Sequence, residues 1–113
     1  MKQTEAEITE SIRNMLKILG VFHWKNFSGP MQHPKGISDI LGIWKGRFLA
    51  IEVKTETGRV SDHQKEFLRH INQPGMAGKC PHCGVPVKAT GLGFVARSID
   101  VVIDQLGVRD RFF

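Results

Sequence analysis

The stretch GISDILGIWKGRFLAIEVKT, residues 36–55, reads as a β-hairpin with an unexpected end. Residues 38–44 and 47–54 are expected as its strands, joined by the tight turn Lys45-Gly46. The second strand holds FLAIEV, nearly continuous apolar sequence, as in a strand covered on both faces. Its end is charged. Glu52 and Lys54 stand two apart and so share one face of the sheet, and Asp39 opens the neighbouring strand. Two carboxylates on adjacent strands repel each other, an arrangement tolerated mainly where a cation lies between them. Magnesium and similar hard ions take one or two carboxylates plus water and substrate phosphate. Asp39 and Glu52 can converge on one such ion, with Lys54 beside it to position or deprotonate a metal-activated water or to stabilise charge on a phosphate. The plain alternative is a surface Glu–Lys pair at a strand end, which contributes little.

Around the hairpin the periodicity is clear. Thr4 and Glu7 fit a capping box, followed by Ile8, Ile12, Met15, Leu16 and Leu19 at helical spacing and ended by Gly20. Residues 21–27, VFHWKNF, alternate as a first strand, and the loop after it carries Pro30 and Pro34. Ser61 and Gln64 form a second capping box ahead of Phe67, Leu68 and Ile71. Residues 73–90 read as irregular, rich in Gly and Pro; LGFVARS is a last strand, and Ser98 starts a last helix with Ile99, Val102, Ile103 and Leu106 inward. The order of helix, three strands, helix, strand and helix predicts an α/β fold, a sheet flanked by helices. Trp24, Trp44, Phe48, Phe67 and Phe94 fall at positions a core would claim.

With 113 residues the chain has room for one domain and one modest core. Sixteen Lys and Arg against eleven Asp and Glu leave a net charge of +5, which favours an anionic partner, nucleic acid before membrane. No apolar run approaches a membrane span, and the first residues are too polar for a signal peptide. Cys80 and Cys83 are too close in sequence for a useful disulfide, so a reducing, cytoplasmic location is expected.

The segments SDILGIWKGRFLAIEVKTETGRVSDHQKEFL and GFVARS together resemble the VRR-NUC branch of the PD-(D/E)XK nuclease superfamily, in its short stand-alone phage form. The resemblance covers nearly the whole chain and implies a restriction-endonuclease-like core, a mixed central sheet of about four strands flanked by helices. It implies a magnesium- or manganese-dependent DNA endonuclease, acting on four-way junctions or other branched DNA, and working inside a bacterial host if phage-encoded. Asp39 and Glu52 become metal ligands, with the Val53 carbonyl, and Lys54 becomes the catalytic lysine. Gln64 matches an active-site glutamine, and Glu5 best fits an acid expected in the first helix, with Glu7 and Glu10 as rivals. Two departures stand out: Ser38 precedes the motif acid where the superfamily has proline, and residues 73–90 exceed what a helix-to-strand loop needs.

That added stretch holds KCPHCGVP, half of a zinc site by spacing, with Cys80 and Cys83 as ligands. His33, His63, His70 or His82 would complete it, or two knuckles would meet across a dimer axis; an unligated loop and a redox pair are the alternatives. A homodimer is expected, because one domain has one active site and paired nicks need two. His23 and His33 fall near the proposed cleft, and Lys25, Lys35, Arg47 and Arg59 are candidates for a DNA backbone track. The rival functions are a non-catalytic nucleic-acid-binding module with a zinc knuckle, and a thiol–disulfide protein.

Overall fold

The computed structural model describes residues 2–27, 35–73, 75–79, 82–84 and 86–111. In chain order the elements are α1 (Glu5–Ile18), β1 (Phe22–Lys25), β2 (Ile40–Trp44), β3 (Arg47–Val53), α2 (Asp62–Asn72), β4 (Gly75–Lys79), β5 (Pro86–Ala89), β6 (Leu92–Ala96) and α3 (Ile99–Leu106), followed by a short 3-10 turn at Arg109–Arg111. The hairpin of β2 and β3 closes through Lys45 and Gly46, both at positive φ (49° and 77°). That pair of angles is what a two-residue turn matching the strand twist requires.

The central sheet has the order β1-β2-β3-β6. Its first three strands pair antiparallel, and β6 joins β3 in parallel. A parallel neighbour needs a crossover, and α2 supplies it. One face carries Ile40, Leu49, Ile51, Val53, Phe94 and Ala96 against Ile12 and Leu16 of α1 and Val102 and Ile103 of α3. Ile12, Leu16, Ile40, Leu49, Ile51 and Val53 are fully buried, each contributing about 1.5–3 kcal/mol. The other face carries Leu41 and Ala50 under Leu68, Phe67 and Ile71 of α2. Asn72 fixes the end of that helix to β6: its amide donates to the Gly93 carbonyl (2.7 Å) and its oxygen accepts from Gly93 N–H (2.8 Å).

Both expected capping boxes form, at Thr4/Glu7 and Ser61/Gln64. Ser98 caps α3 by position only; its side chain makes no capping hydrogen bond. Two expectations are corrected. Residues 73–90 are not irregular throughout, because β4 and β5 pair there as a separate antiparallel sheet inserted between α2 and β6. Trp24 and Phe48 are not core residues but 41% and 42% exposed, beside the more exposed Phe22 and Ile43. They share the face of Leu41 and Ala50, yet α2 covers only the inner part of it, so the outer strand and the hairpin tip stay open.

Candidate active site

The register of the hairpin ends at Ile40 opposite Ile51, and one further step sets Asp39 opposite Glu52. Like charges directly across a strand pair destabilise it, and this pair is also buried: Glu52 is 2% exposed and Asp39 half-buried. The backbone holds Asp39 in place from both sides. Its Oδ2 accepts from Val53 N–H at 2.8 Å, and its carbonyl accepts from Asn26 N–H at 2.8 Å. Glu52 Oε1 accepts from the Gln64 side-chain amide at 2.8 Å and lies 3.7 Å from Lys54 Nζ. Glu52 Oε2 is buried and has no hydrogen-bond partner among the described residues.

Burial first, and the Asp39 carboxylate next to it, push the Glu52 carboxyl up to about 8, against the opposing pull of the Lys54 ammonium. Glu52 therefore keeps a proton at neutral pH unless a cation takes its place. That is the kind of environment a hard divalent ion occupies: two carboxylates, with one buried oxygen of Glu52 unpartnered among the described residues. Among the described residues no group of three or more His, Cys, Asp or Glu comes together. Two carboxylates are nonetheless within the usual complement for magnesium, the remaining positions being water and phosphate. The residues present fit such an ion. A surface cavity of about 550 Å³ lies between Lys2, Thr55, Glu56 and Arg97 and is not lined by Asp39 or Glu52.

The helices complete the arrangement. Gln64 uses its two ends separately: Oε1 accepts from Ser61 N–H (2.8 Å) to close the cap of α2, leaving Nε2 to donate to Glu52. Gly36 lets the loop carrying Asp39 reach that helix. It has φ +79°, and a methyl there would collide with the backbone of His63 and Gln64. From α1, Glu5 adds a negative charge that acts on Glu52, whereas Glu7 is engaged with Thr4 in its own cap.

Sequence reasoning missed Arg97. Its Nη1 donates to the carbonyls of Thr55 (2.6 Å) and Gly58 (2.8 Å), tying down the loop that follows Lys54. The only signal was a cation at the end of β6, the strand parallel to β3. Ser38, in place of the superfamily proline, is fully buried.

The VRR-NUC domain family profile matches residues 4–85, which contain Glu5, Asp39, Glu52, Lys54 and Gln64 but not Arg97. The chain belongs to the VRR-NUC domain family. It is also similar to a protein from Mycoplasmopsis pulmonis named Holliday junction resolvase RecU, at 36% identity over 52 residues. That match covers 41% of this chain and 33% of the relative, so the chain spans about a third of the relative's length. No solved structure matches.

The other sequence candidates in this VRR-NUC domain divide into several groups. Cys83 is exposed, while Cys80 and His33 lie outside the described residues. His70 pairs with Glu66 at 3.2 Å, and His23 turns Nδ1 to the Val21 carbonyl at 2.9 Å. Arg47 is occupied with the carbonyls of Thr90 and Gly91, both at 3.0 Å, and so braces β6 instead of facing a ligand. Lys35 and Arg59 are exposed. No helix among the described residues is long and apolar enough to cross a membrane.

Proposed function

We propose that this VRR-NUC domain is a divalent-metal-dependent endonuclease that hydrolyses phosphodiesters in branched DNA, four-way junctions above all. The observation that carries the reading is the buried Asp39–Glu52 pair with an unpartnered Glu52 oxygen and Lys54 beside it. A strand-end ion pair needs one acid and one base; the half-buried Asp39 beside Glu52 is a second acid, which a divalent cation would account for. The relative named as a junction resolvase supports the choice of branched DNA.

Asp39, Glu52 and the Val53 carbonyl would hold magnesium or manganese, which when bound acidifies water and polarises a phosphate. The chain's own groups do the rest. Gln64 keeps the Glu52 carboxylate turned toward Asp39, and the Val53 N–H keeps Asp39 from rotating away. The Lys54 ammonium, 14% exposed, sits where it can order the attacking water or meet the negative charge that builds on the phosphate as one P–O bond forms and the other breaks. Glu5 is the helix acid best supported as a further member of the site, through its charge on Glu52.

Two further parts belong to the proposal: a two-fold homodimer, so that paired sites cut strands of opposite polarity, and a structural zinc on Cys80 and Cys83, supported by their spacing. The test is cleavage of a panel of four-way, flapped, nicked and linear DNAs with magnesium, with manganese and with chelator. Metal-dependent cutting of branched forms is expected. Binding without cutting under every condition favours a nucleic-acid-binding module instead.

A further inference from the structure

A groove separates α1 from β1, and its lining is unbalanced in charge. Arg13, Asn14 and Lys17 of α1 and Lys25 of β1 surround a cavity of about 250 Å³, with Glu10 as the one acid on its wall. Glu10 does not neutralise the cations: none of Arg13, Lys17 and Lys25 forms an ion pair among the described residues. Among the described residues Lys25 meets the ring of Phe27, its Nζ 5.7 Å from the centroid.

A solvated charge run would leave each cation's polar atoms in water. Arg13 does not fit that description. Its Nε–H is buried and has no hydrogen-bond partner among the described residues. A buried donor is normally satisfied, and no described residue provides a partner for this one. Arginine's fork suits phosphate oxygens in particular.

Chain neighbours connect the groove to the strand end that carries Asp39. Ala6 lines one end of it and follows Glu5 directly. Lys25 is the last residue of β1, and the next backbone N–H, that of Asn26, is bonded to Asp39. From there the cations run outward, Arg13 and Lys17 being one helical turn, about 6 Å, apart. A line of cations leading away from a phosphodiester-cutting site suits an extended polyanion better than a single small anion.

We propose that the α1–β1 groove binds the sugar–phosphate backbone of the substrate DNA beside the cleaved phosphate, with Arg13, Lys17 and Lys25 as the phosphate contacts. This rests on the nuclease reading of Asp39, Glu52 and Lys54. The test uses the full chain in chelator, so that nothing is cut, and measures four-way-junction affinity across a salt series. Arg13→Ala, Lys17→Ala and Lys25→Ala should each weaken binding several-fold and lower the log–log salt slope by about 0.9, the value for one lost phosphate contact. Lys65→Ala, an exposed cation on α2, should leave both unchanged. With metal restored, the groove variants should raise KM and leave kcat near wild type. Lys17 and Lys25 are exposed, so their variants carry the test even if Arg13→Ala disturbs folding. Salt slopes equal to wild type in those two variants overturn the groove while leaving the nuclease reading intact. A folded wild-type protein that neither binds nor cuts DNA overturns both.

Discussion

Replacing Glu52 by glutamine should make the metal-free protein more stable, and more so as pH rises. Glutamine keeps the shape of the side chain and an oxygen for the Gln64 amide, but it cannot ionise. In the unfolded chain a glutamate titrates near 4.5, whereas in the folded, metal-free protein burial and Asp39 raise Glu52 to about 8. Below about pH 4.5 both states hold the proton and Glu52 costs nothing. Between the two values the folded state retains a proton that the unfolded state has released, so stability falls as pH rises and levels off above about 8. At about 1.4 kcal/mol per unit, the shift sets a ceiling of about 5 kcal/mol on the loss, and water entering the cleft will reduce it. Urea denaturation in chelator at about pH 5 and about pH 8.5 measures it. The advantage of Glu52→Gln over wild type should grow by at least about 1.4 kcal/mol between the two conditions, one pKa unit of the shift. Magnesium should then restore the wild type at the higher pH and do nothing for the variant, because only the native wild type gains binding energy. An advantage that is the same at both pH values, or a variant weaker at both, would refute the claim that Glu52 is buried beside Asp39 with its charge only partly compensated by Lys54.

Asp39→Asn should abolish cleavage by weakening the metal site, with DNA affinity unchanged or higher, whereas Lys54→Ala should abolish cleavage with the divalent ion still bound. A calorimetric metal titration beside the nuclease assay separates them, and near-normal cutting by Lys54→Ala would reduce the lysine to a strand-end ion pair. Gly36→Ala should cost at least about 2 kcal/mol in denaturation and take activity with it, since the methyl meets the α2 backbone and the φ is left-handed. Gln64→Glu should keep the helix, because a capping box accepts either residue. It should still lose activity and metal-free stability at high pH, because a third carboxylate then faces Glu52. Protein purified without added zinc should carry zinc on Cys80 and Cys83, and light scattering at micromolar concentration should show a dimer; less than about half an ion per dimer, or monomer alone with and without DNA, would remove the respective part of the proposal.

What could be read in advance was whatever local chemistry decides. Thr4 with Glu7, Ser61 with Gln64, and Lys45-Gly46 each carry their own hydrogen bonds or turn angles within four residues, and each forms as expected. Asp39, Glu52 and Lys54 stood out because charged residues at the ends of an otherwise apolar strand pair ask for a reason, although a surface Glu–Lys pair was one reason available. What escaped depended on distant neighbours. Trp24 and Phe48 look like core residues until the extent of α2 over the sheet is known. Arg97 has its partners some forty residues earlier in the chain. The hairpin of β4 and β5 was concealed by glycines and a proline, which mark turns and loops by themselves and say little about pairing.

Gln64 shows how the fold and the chemistry are joined. The capping box of α2 constrains position 64 only to an oxygen that can accept from Ser61 N–H, a demand that glutamate meets as well as glutamine. The site adds a second demand at the same position, a donor aimed at Glu52 Oε1. Only glutamine satisfies both, so the choice between two residues equivalent for the helix is made by a carboxylate on a strand. The same logic applies at Gly36. The turn asks for a left-handed residue, which asparagine would tolerate, but the approach of the α2 backbone leaves room for no side chain at all. Each position sits where the loop bearing Asp39 meets the start of α2. Helix, loop and strand are therefore locked together at the point where two carboxyl groups are held close, and separating them there would take the proposed metal site apart in one step.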